Sequence, residues 1–465
     1  LQRHGLKLDT NFAPVDAIWS DRPSLPACPA FIHEDKYAGR SAVEKIARIL
    51  DEVKLQGAGS LLVSDLAEVA WTLNIRSRDV NCNPVAYAFL YLSPEGNTLF
   101  IKEEKITPEV ADALAAANVS VAPYDSVIPF LSSLPASATV LYEGARVAAR
   151  LVDALGDRAV AGASPIPLLK AVKNSTQIAG IRNAMEKDGA ALVGAFMEIE
   201  RRLREGEGLT ELAVADILTE YRSKQDLYFD ESFETIAGYG PHGAIVHYSA
   251  TPETSSDIHP QGLLLIDSGA QYLDGTTDIT RTIALGTPTD RERHDFTLVM
   301  KGHIALATAI YPEGTRGDQL DCLAHQFLWK EGLNYLHGTG HGVGHFLNVH
   351  EGPQSIRLNT VPVTLRPGML TSNEPGLYIT GMHGIRCENL VLTVDAFTTE
   401  FGHFYRFEPM TLFPWDLSLF DTNLMTQEEI NWVNGYHKMV YDRLSPRLDA
   451  AQKAWLAEKT KELKK

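Results

Sequence analysis

Cysteine is scarce in this chain: Cys28, Cys82, Cys322 and Cys387 are the only four, and none forms a C-x-x-C pair. Thiols so few and scattered exclude a disulfide-stapled secreted scaffold and fit a reducing compartment, the cytoplasm. No apolar run approaches the ~18–20 residues that cross a bilayer, and residues 1–20 hold no signal-peptide core. Positive charge is also short, with 42 Lys and Arg against 59 Asp and Glu and a net charge of −17. Nucleic acid and anionic membrane are therefore disfavoured as partners, because phosphate binding needs a basic face. The histidine-rich stretch His337–His345 does not match H-E-x-x-H, the P-loop or G-x-G-x-x-G, so it supports neither a helical zinc protease nor a nucleotide site.

What remains is material for a large globular protein: 465 residues, 45% hydrophobic and 22% charged, enough for two to four domains. Residues 1–36 carry Pro14, Pro23, Pro26 and Pro29 without periodicity and read as a linker. The chain opens at Leu1 in polar, turn-rich sequence, so the expectation is that this linker is the remnant of a missing N-terminal domain. From Tyr37 to Ile166, amphipathic and β-type stretches alternate. Ser41–Leu55 has helical spacing, Gly59–Val63, Val85–Leu92 and Thr98–Lys102 are strands, and Thr107-Pro108-Glu109 opens a helix. These describe an α/β domain over 37–166. The prolines of Ser164-Pro165-Ile166-Pro167 mark a boundary. Beyond it, over 167–465, long helices (Ser175–Glu205, Thr210–Lys224) interleave with antiparallel strand pairs, an α+β pattern. Thr289 and Glu292 form a capping box, and the charged tail after Ser445 reads as a solvated helix.

Three constellations carry chemistry. Asp267 directly follows four apolar residues, Leu263–Ile266, where a carboxylate is costly unless paired or metal-bound. With Asp274-Gly275 as the turn, Gln271 faces Asp278, and Asp267 and Asp278 share one face of the sheet. That register leaves them four residues apart, roughly 13 Å, too far for a dinuclear site with ions ~3.5–4 Å apart unless a bulge or wider turn intervenes. The second set is His337-Gly338-Thr339-Gly340-His341-Gly342-Val343-Gly344-His345, ending at His350-Glu351: four of fifteen histidines among glycines that permit close backbone approach. The third is Asn373-Glu374-Pro375-Gly376 with Arg386-Cys387-Glu388, where Glu388 enters an apolar strand and Arg386 shares its face. Taken singly, the three are also compatible with an exposed hairpin, a glycine-rich loop and a structural Arg–Glu pair. Together they supply a hard, oxygen-dominated set suited to Mn²⁺ or a similar ion, with carboxylates enough to need two divalent charges.

In this order the motifs resemble the "pita-bread" metallopeptidase family, which includes methionine aminopeptidase, prolidase, creatinase and Xaa-Pro aminopeptidase. The long, three-domain type of Xaa-Pro aminopeptidase is the nearest likeness, and Trp71–Arg76, Asn83-Pro84-Val85 and Lys173-Asn174 resemble it upstream. The resemblance implies a creatinase-like N-terminal-type α/β domain followed by a pita-bread catalytic domain with a C-terminal extension, and a homodimer. It implies two divalent metal ions, Mn²⁺ by expectation, held by Asp267, Asp278, His341, Glu374 and Glu388. It further implies Glu374 as acid/base, His247 at the scissile peptide, His350 as proton shuttle, His337 lining the substrate pocket and Arg386 supporting the metal site. The implied reaction removes the first residue from peptides with proline second. Prolidase, creatinase-like metal-free hydrolysis and a non-catalytic peptide-binding role are the alternatives. Cys387, beside Glu388, carries an expectation of oxidation sensitivity.

Overall fold

The computed structural model describes Gly5 and residues 14–465, so most of the first third of the expected linker lies outside the described residues. The end of that stretch is packed rather than extended over the surface: Phe31–Ile32 pairs antiparallel with Ile75–Arg76, and Ala30 and His33 are buried.

The first lobe is a six-stranded mixed sheet in the spatial order Val119–Pro123, Asn97–Ile101, Ala88–Leu92, Ser60–Val63, Val140–Tyr142, Ala159–Ala161. Strand alternation sorts its side chains onto two faces. Leu61, Val63, Leu90, Leu92, Leu99 and Ile101 pack under the helices Ala42–Leu55, Leu66–Leu73 and Pro108–Ala116, while Leu62, Tyr91 and Phe100 pack under Val127–Ser133 and Ala149–Leu155. Helix starts follow local chemistry: Ser41 and Glu44 form a reciprocal capping box, and Thr107 caps a helix with proline at its first position.

The second lobe is built on the 31-residue helix Ser175–Glu205, about 46 Å long, opened by an Asn174/Gln177 capping box and closed by Gly206 at φ 69°. A six-stranded antiparallel sheet runs in the order Ile310–Pro312, Gly402–Pro409, Asn389–Thr399, Leu370–Asn373, Gly340–Gly342, Glu351–Ile356. A three-stranded sheet, Ile236–Tyr239, Leu263–Ser268 and Ile279–Ala284, lies beside it. Arg281 ties the two together: its buried guanidinium donates to the carbonyls of Glu388, Phe413 and Pro414, to Asn389 Oδ1 and to Tyr436 Oη, over the Trp415 ring. The tail is not merely solvated. Its helix Ala450–Lys459 buries Leu456, and Trp455 Nε1 donates to Glu200 of the long helix at 2.8 Å.

The expected hairpin register is corrected by the structure. Gln271 faces Thr276 and Tyr272 faces Gly275, so the turn is Leu273-Asp274, and the same register pairs Ser268 with Ile279 and Asp267 with Thr280. Asp278 then falls opposite Gly269, two residues from Asp267 rather than four, about 7 Å along the strand. Two features hold the turn in place. The Asp274 carboxylate accepts from Lys187 Nζ and Asn183 Nδ2 of the long helix, both at 2.7 Å, and a side chain at Gly269 would sit 2.0 Å from the Thr277 carbonyl oxygen.

The lobes meet along a polar seam. Arg76 Nε donates to Phe346 O at 2.7 Å, Gln271 Nε2 to Cys82 O at 3.2 Å, and His33 Nε2 to Leu273 O at 2.8 Å. Glu351 accepts from Lys170 and Lys173. These contacts fix the segment 343–351, on which His350 is carried.

Candidate metal centre

A cavity of about 520 Å³ is lined by Asp267, Asp278, His341, Glu374 and Glu388, and equally by His247, His337, His350 and Arg386. The structure thus brings together all nine residues singled out in the sequence. Asp267 leaves the end of the strand Leu263–Ser268, Asp278 precedes Ile279–Ala284, Glu374 follows Leu370–Asn373, and Glu388 precedes Asn389–Thr399. His341 is the middle residue of Gly340–Gly342, where a side chain at Gly340 would lie 2.0 Å from the Ser372 carbonyl oxygen.

Arg386 holds Asp267, not Glu388: Nη2 and Nε donate to Asp267 Oδ2 at 2.6 and 3.1 Å. Glu388 Oε2 instead accepts from Thr280 Oγ1 at 2.8 Å, and Glu374 Oε1 accepts from Ser372 Oγ at 3.0 Å. The opposite oxygens, Asp267 Oδ1 and Glu388 Oε1, are buried and find no hydrogen-bond partner among the described residues. His341 Nδ1 lies 3.0 Å from the carbonyl of Gly342, which can only accept. Nδ1 therefore carries the proton, and Nε2 faces Glu374 Oε1 at 3.2 Å and Asp278 Oδ2 at 3.6 Å.

Such an arrangement is electrostatically incomplete. Burial, then Glu388, Asp267 and Glu374, hold Asp278 well above the usual carboxylate range, and burial with Asp267 and Glu374 does the same to Glu388. Glu374 goes the other way despite its burial, down to about 2, because His341, His337 and Arg386 favour its charged form. One arginine cannot neutralise four carboxylates, three of them buried. Two orphaned oxygens, an imidazole with Nε2 presented, and ligand atoms of Asp278, His341 and Glu388 all within 4.8 Å of one another fit hard divalent cations.

Around this set, Arg386 Nη1 donates to Tyr378 Oη at 2.8 Å, and Tyr378 Oη lies 2.9 Å from His337 Nε2. His337 Nδ1 meets the Gly338 carbonyl at 2.9 Å, so Nε2 accepts from Tyr378. His350 stands edge-on to His341, ring centroids 4.1 Å apart, and His247 is exposed to the cavity. Sequence reasoning missed Tyr378, Thr280 and Ser372 as supports. Parity holds the signal for two of them: Thr280 is two residues from Asp278, and Tyr378 sits diagonal to Arg386 in the hairpin that pairs Gly376 with Arg386. Cys387 corrects another expectation. It is fully buried and burial pushes its thiol up, away from the thiolate that oxidation requires.

Among known proteins, residues 179–395 match metallopeptidase family M24, residues 21–177 the creatinase/prolidase N-terminal domain, and residues 403–463 the C-terminal region of peptidase M24. Aminopeptidase P2 of Arabidopsis thaliana is 40% identical over 100% of this chain and 71% of its own length. A probable Xaa-Pro aminopeptidase P of Laccaria bicolor is 42% identical over 95% of this chain and 71% of its own. The crystal structure of X-prolyl aminopeptidase from Caenorhabditis elegans, described as a cytosolic enzyme with a di-nuclear active site, superposes with a TM-score of 0.93 at 34% identity, over 97% of this chain and 75% of that one. Xaa-Pro dipeptidase from Bacillus anthracis shares the fold, with a TM-score of 0.65 at 21% identity over 81% of this chain and 99% of that one.

Proposed function

The chain belongs to metallopeptidase family M24, and from that premise we propose that it is a dinuclear metallo-exopeptidase that removes the N-terminal residue from peptides with proline in second position. The observation that carries this reading is the buried carboxylate–imidazole cluster with its two unpartnered oxygens. Asp267, Asp278, His341, Glu374 and Glu388 would hold two divalent ions, Mn²⁺ in our reading. Bound there, the ions supply positive charge against the carboxylates and make water nucleophilic near neutral pH.

The protein's own groups do the rest. Ser372 fixes Glu374 Oε1, which leaves Oε2 to accept a proton and deliver it to the departing prolyl nitrogen. His247 stabilises the charge that develops on the scissile carbonyl oxygen, and His350 completes the proton path. Arg386 and Tyr378 orient His337 at the pocket wall. Proline offers no N–H at the scissile bond, so selection falls to the shape of the pocket for its ring. The same reading places the protein in the cytoplasm as a homodimer, with an α/β domain over 37–166 and the catalytic domain over 167–465.

Prolidase chemistry is the second reading, since a protein described as an Xaa-Pro dipeptidase shares the fold. Mass spectrometry of products from an Xaa-Pro dipeptide, an Xaa-Pro-Xaa tripeptide and a longer Xaa-Pro peptide separates the two. Release of one residue from the longer peptides supports the aminopeptidase; cleavage of the dipeptide alone would make the enzyme a prolidase.

A further inference from the structure

A cavity of about 980 Å³ lies apart from the metal centre, in a cleft between the two lobes. In a chain of net charge −17 its lining is unexpectedly cationic: Arg40, Lys45, Arg48, Arg146, Lys173 and Arg366, against Glu52 and Glu143. Some of that charge is already matched. Arg146 pairs with Asp65, Glu68 and Glu143, and Lys173 pairs with Glu351. Arg40, Arg48 and Arg366 make no ion pair or side-chain hydrogen bond among the described residues. All three are exposed, so the cleft can be entered from solvent.

At the cleft wall Lys45 is buried, and its ammonium donates to Trp71 O at 2.9 Å and Asn74 Oδ1 at 2.5 Å, two neutral acceptors, so no carboxylate is bonded to it. Burial and the neighbouring Arg76 disfavour its charged form, a cost that an anion in the cleft would relieve. Trp71, also lining the cleft and 93% buried by its 7% exposure, leaves its Nε1–H without an acceptor among the described residues. Two helix starts add to the field: Arg40 precedes the cap of Ala42–Leu55, and Asn174 caps the 31-residue helix, both with positive ends toward this region.

We propose that this interlobe cleft binds a small polyanion bearing two or more phosphate groups, held by Arg40, Arg48 and Arg366 at its mouth with Lys45 at its wall. Arginine favours planar, bidentate recognition of phosphate, and a volume near 980 Å³ is at the upper end of small-molecule sites. The site is separate from the catalytic reading above and does not depend on it.

The test is isothermal titration of the metal-loaded full chain with fructose 1,6-bisphosphate, a bisphosphate probe, in ~150 mM salt where surface attraction is screened. The expected result is one site per chain, weakened at least tenfold in Arg40→Glu/Arg48→Glu and in Arg366→Glu, and unchanged in Lys453→Glu, a distant exposed lysine. Thermal melts of each variant without the probe establish that it is folded, and Arg40→Lys/Arg48→Lys, which keeps the charge, retains most of the affinity. No saturable binding to the wild type, or equal binding to the charge-reversed variants, would overturn the site. Tricarballylate binding as tightly as the bisphosphate would overturn the phosphate assignment.

Discussion

Removing the charge of Glu351 should break a buried ion triad that stands directly beside the chemistry. Its carboxylate is 2% exposed and accepts from Lys170 and from Lys173 Nζ at 2.7 Å, with the two ammonium groups 7% and 0% exposed. At that distance and an effective dielectric of 20 the attraction is ~6 kcal/mol for each pair, most of which offsets the desolvation of three buried ions. In Glu351→Gln the desolvation cost stays and the attraction goes, leaving two buried ammonium groups facing each other. The expected loss is ~3–5 kcal/mol, the range for breaking a buried pair by removing one partner. Urea denaturation of the variant against the wild type reads it directly. Replacing all three residues by methionine should recover most of the loss, because no uncompensated charge is then buried. Turnover should fall in Glu351→Gln as well, since Glu351 follows His350 and pairs with Gly342, beside His341. A loss under ~1 kcal/mol in Glu351→Gln would refute the reasoning, because it would mean that the triad is neither desolvated nor strongly coupled.

Other outcomes follow from the same geometry. Asp278→Asn should abolish turnover and ion loading yet stabilise the metal-free protein by relieving carboxylate repulsion; a metal-free melting curve no higher than wild type would count against that repulsion. His350→Ala should slow turnover far more than it weakens ion binding, as read by kinetics beside metal titration, and equal losses would make His350 a ligand. Tyr378→Phe, which removes the hydroxyl between Arg386 and His337, should raise KM with metal content unchanged; loss of metal would instead tie Tyr378 to the ion site. Burial first, then Arg76 for His345 and Arg281 for His437, lowers both imidazoles to about 3. Between pH 3 and 6.5 the unfolded chain binds these protons and the folded one does not, so stability falls as pH falls, by ~1.4 kcal/mol per unit for each group. The pair alone should cost ~3 kcal/mol between pH 6.5 and 5, since the unfolded imidazole is half protonated at the start of that range, and His437→Gln should reduce that loss by about half. An unchanged loss in His437→Gln would sink the assignment.

Much of this architecture was legible in the residues because the signals were local. Helical spacing from Ser41, the capping box at Thr289/Glu292 and proline after Thr107 placed helix starts that the structure repeats. Asp267 and Asp278 were correctly put on one face by parity, but their register was two residues wrong. Asp274-Gly275 has the chemistry of a turn, yet Asp274 is taken by Lys187 and Asn183, and Gly275 lies against Ile181 and Ala184. Those partners are some ninety residues away in the chain, and no short-range rule contains them. The same applies to Arg386, assigned by spacing to the neighbourhood of Glu388 but held by Asp267 across the sheet. The tail after Ser445 read as solvated because of its many charged residues, although Trp455 and Leu456 suffice to dock its helix on the long helix.

The central claim is that the carboxylate cluster holds two divalent ions that drive cleavage after the first residue of an Xaa-Pro peptide. The most direct measurement is a titration of chelator-treated enzyme with Mn²⁺, following bound ions by mass spectrometry and release of the first residue from an Xaa-Pro-Xaa tripeptide in the same samples. The account predicts no release without metal and full release as occupancy approaches two ions per chain. Full release from metal-free protein, or two bound ions with no release from any Xaa-Pro peptide, would contradict it.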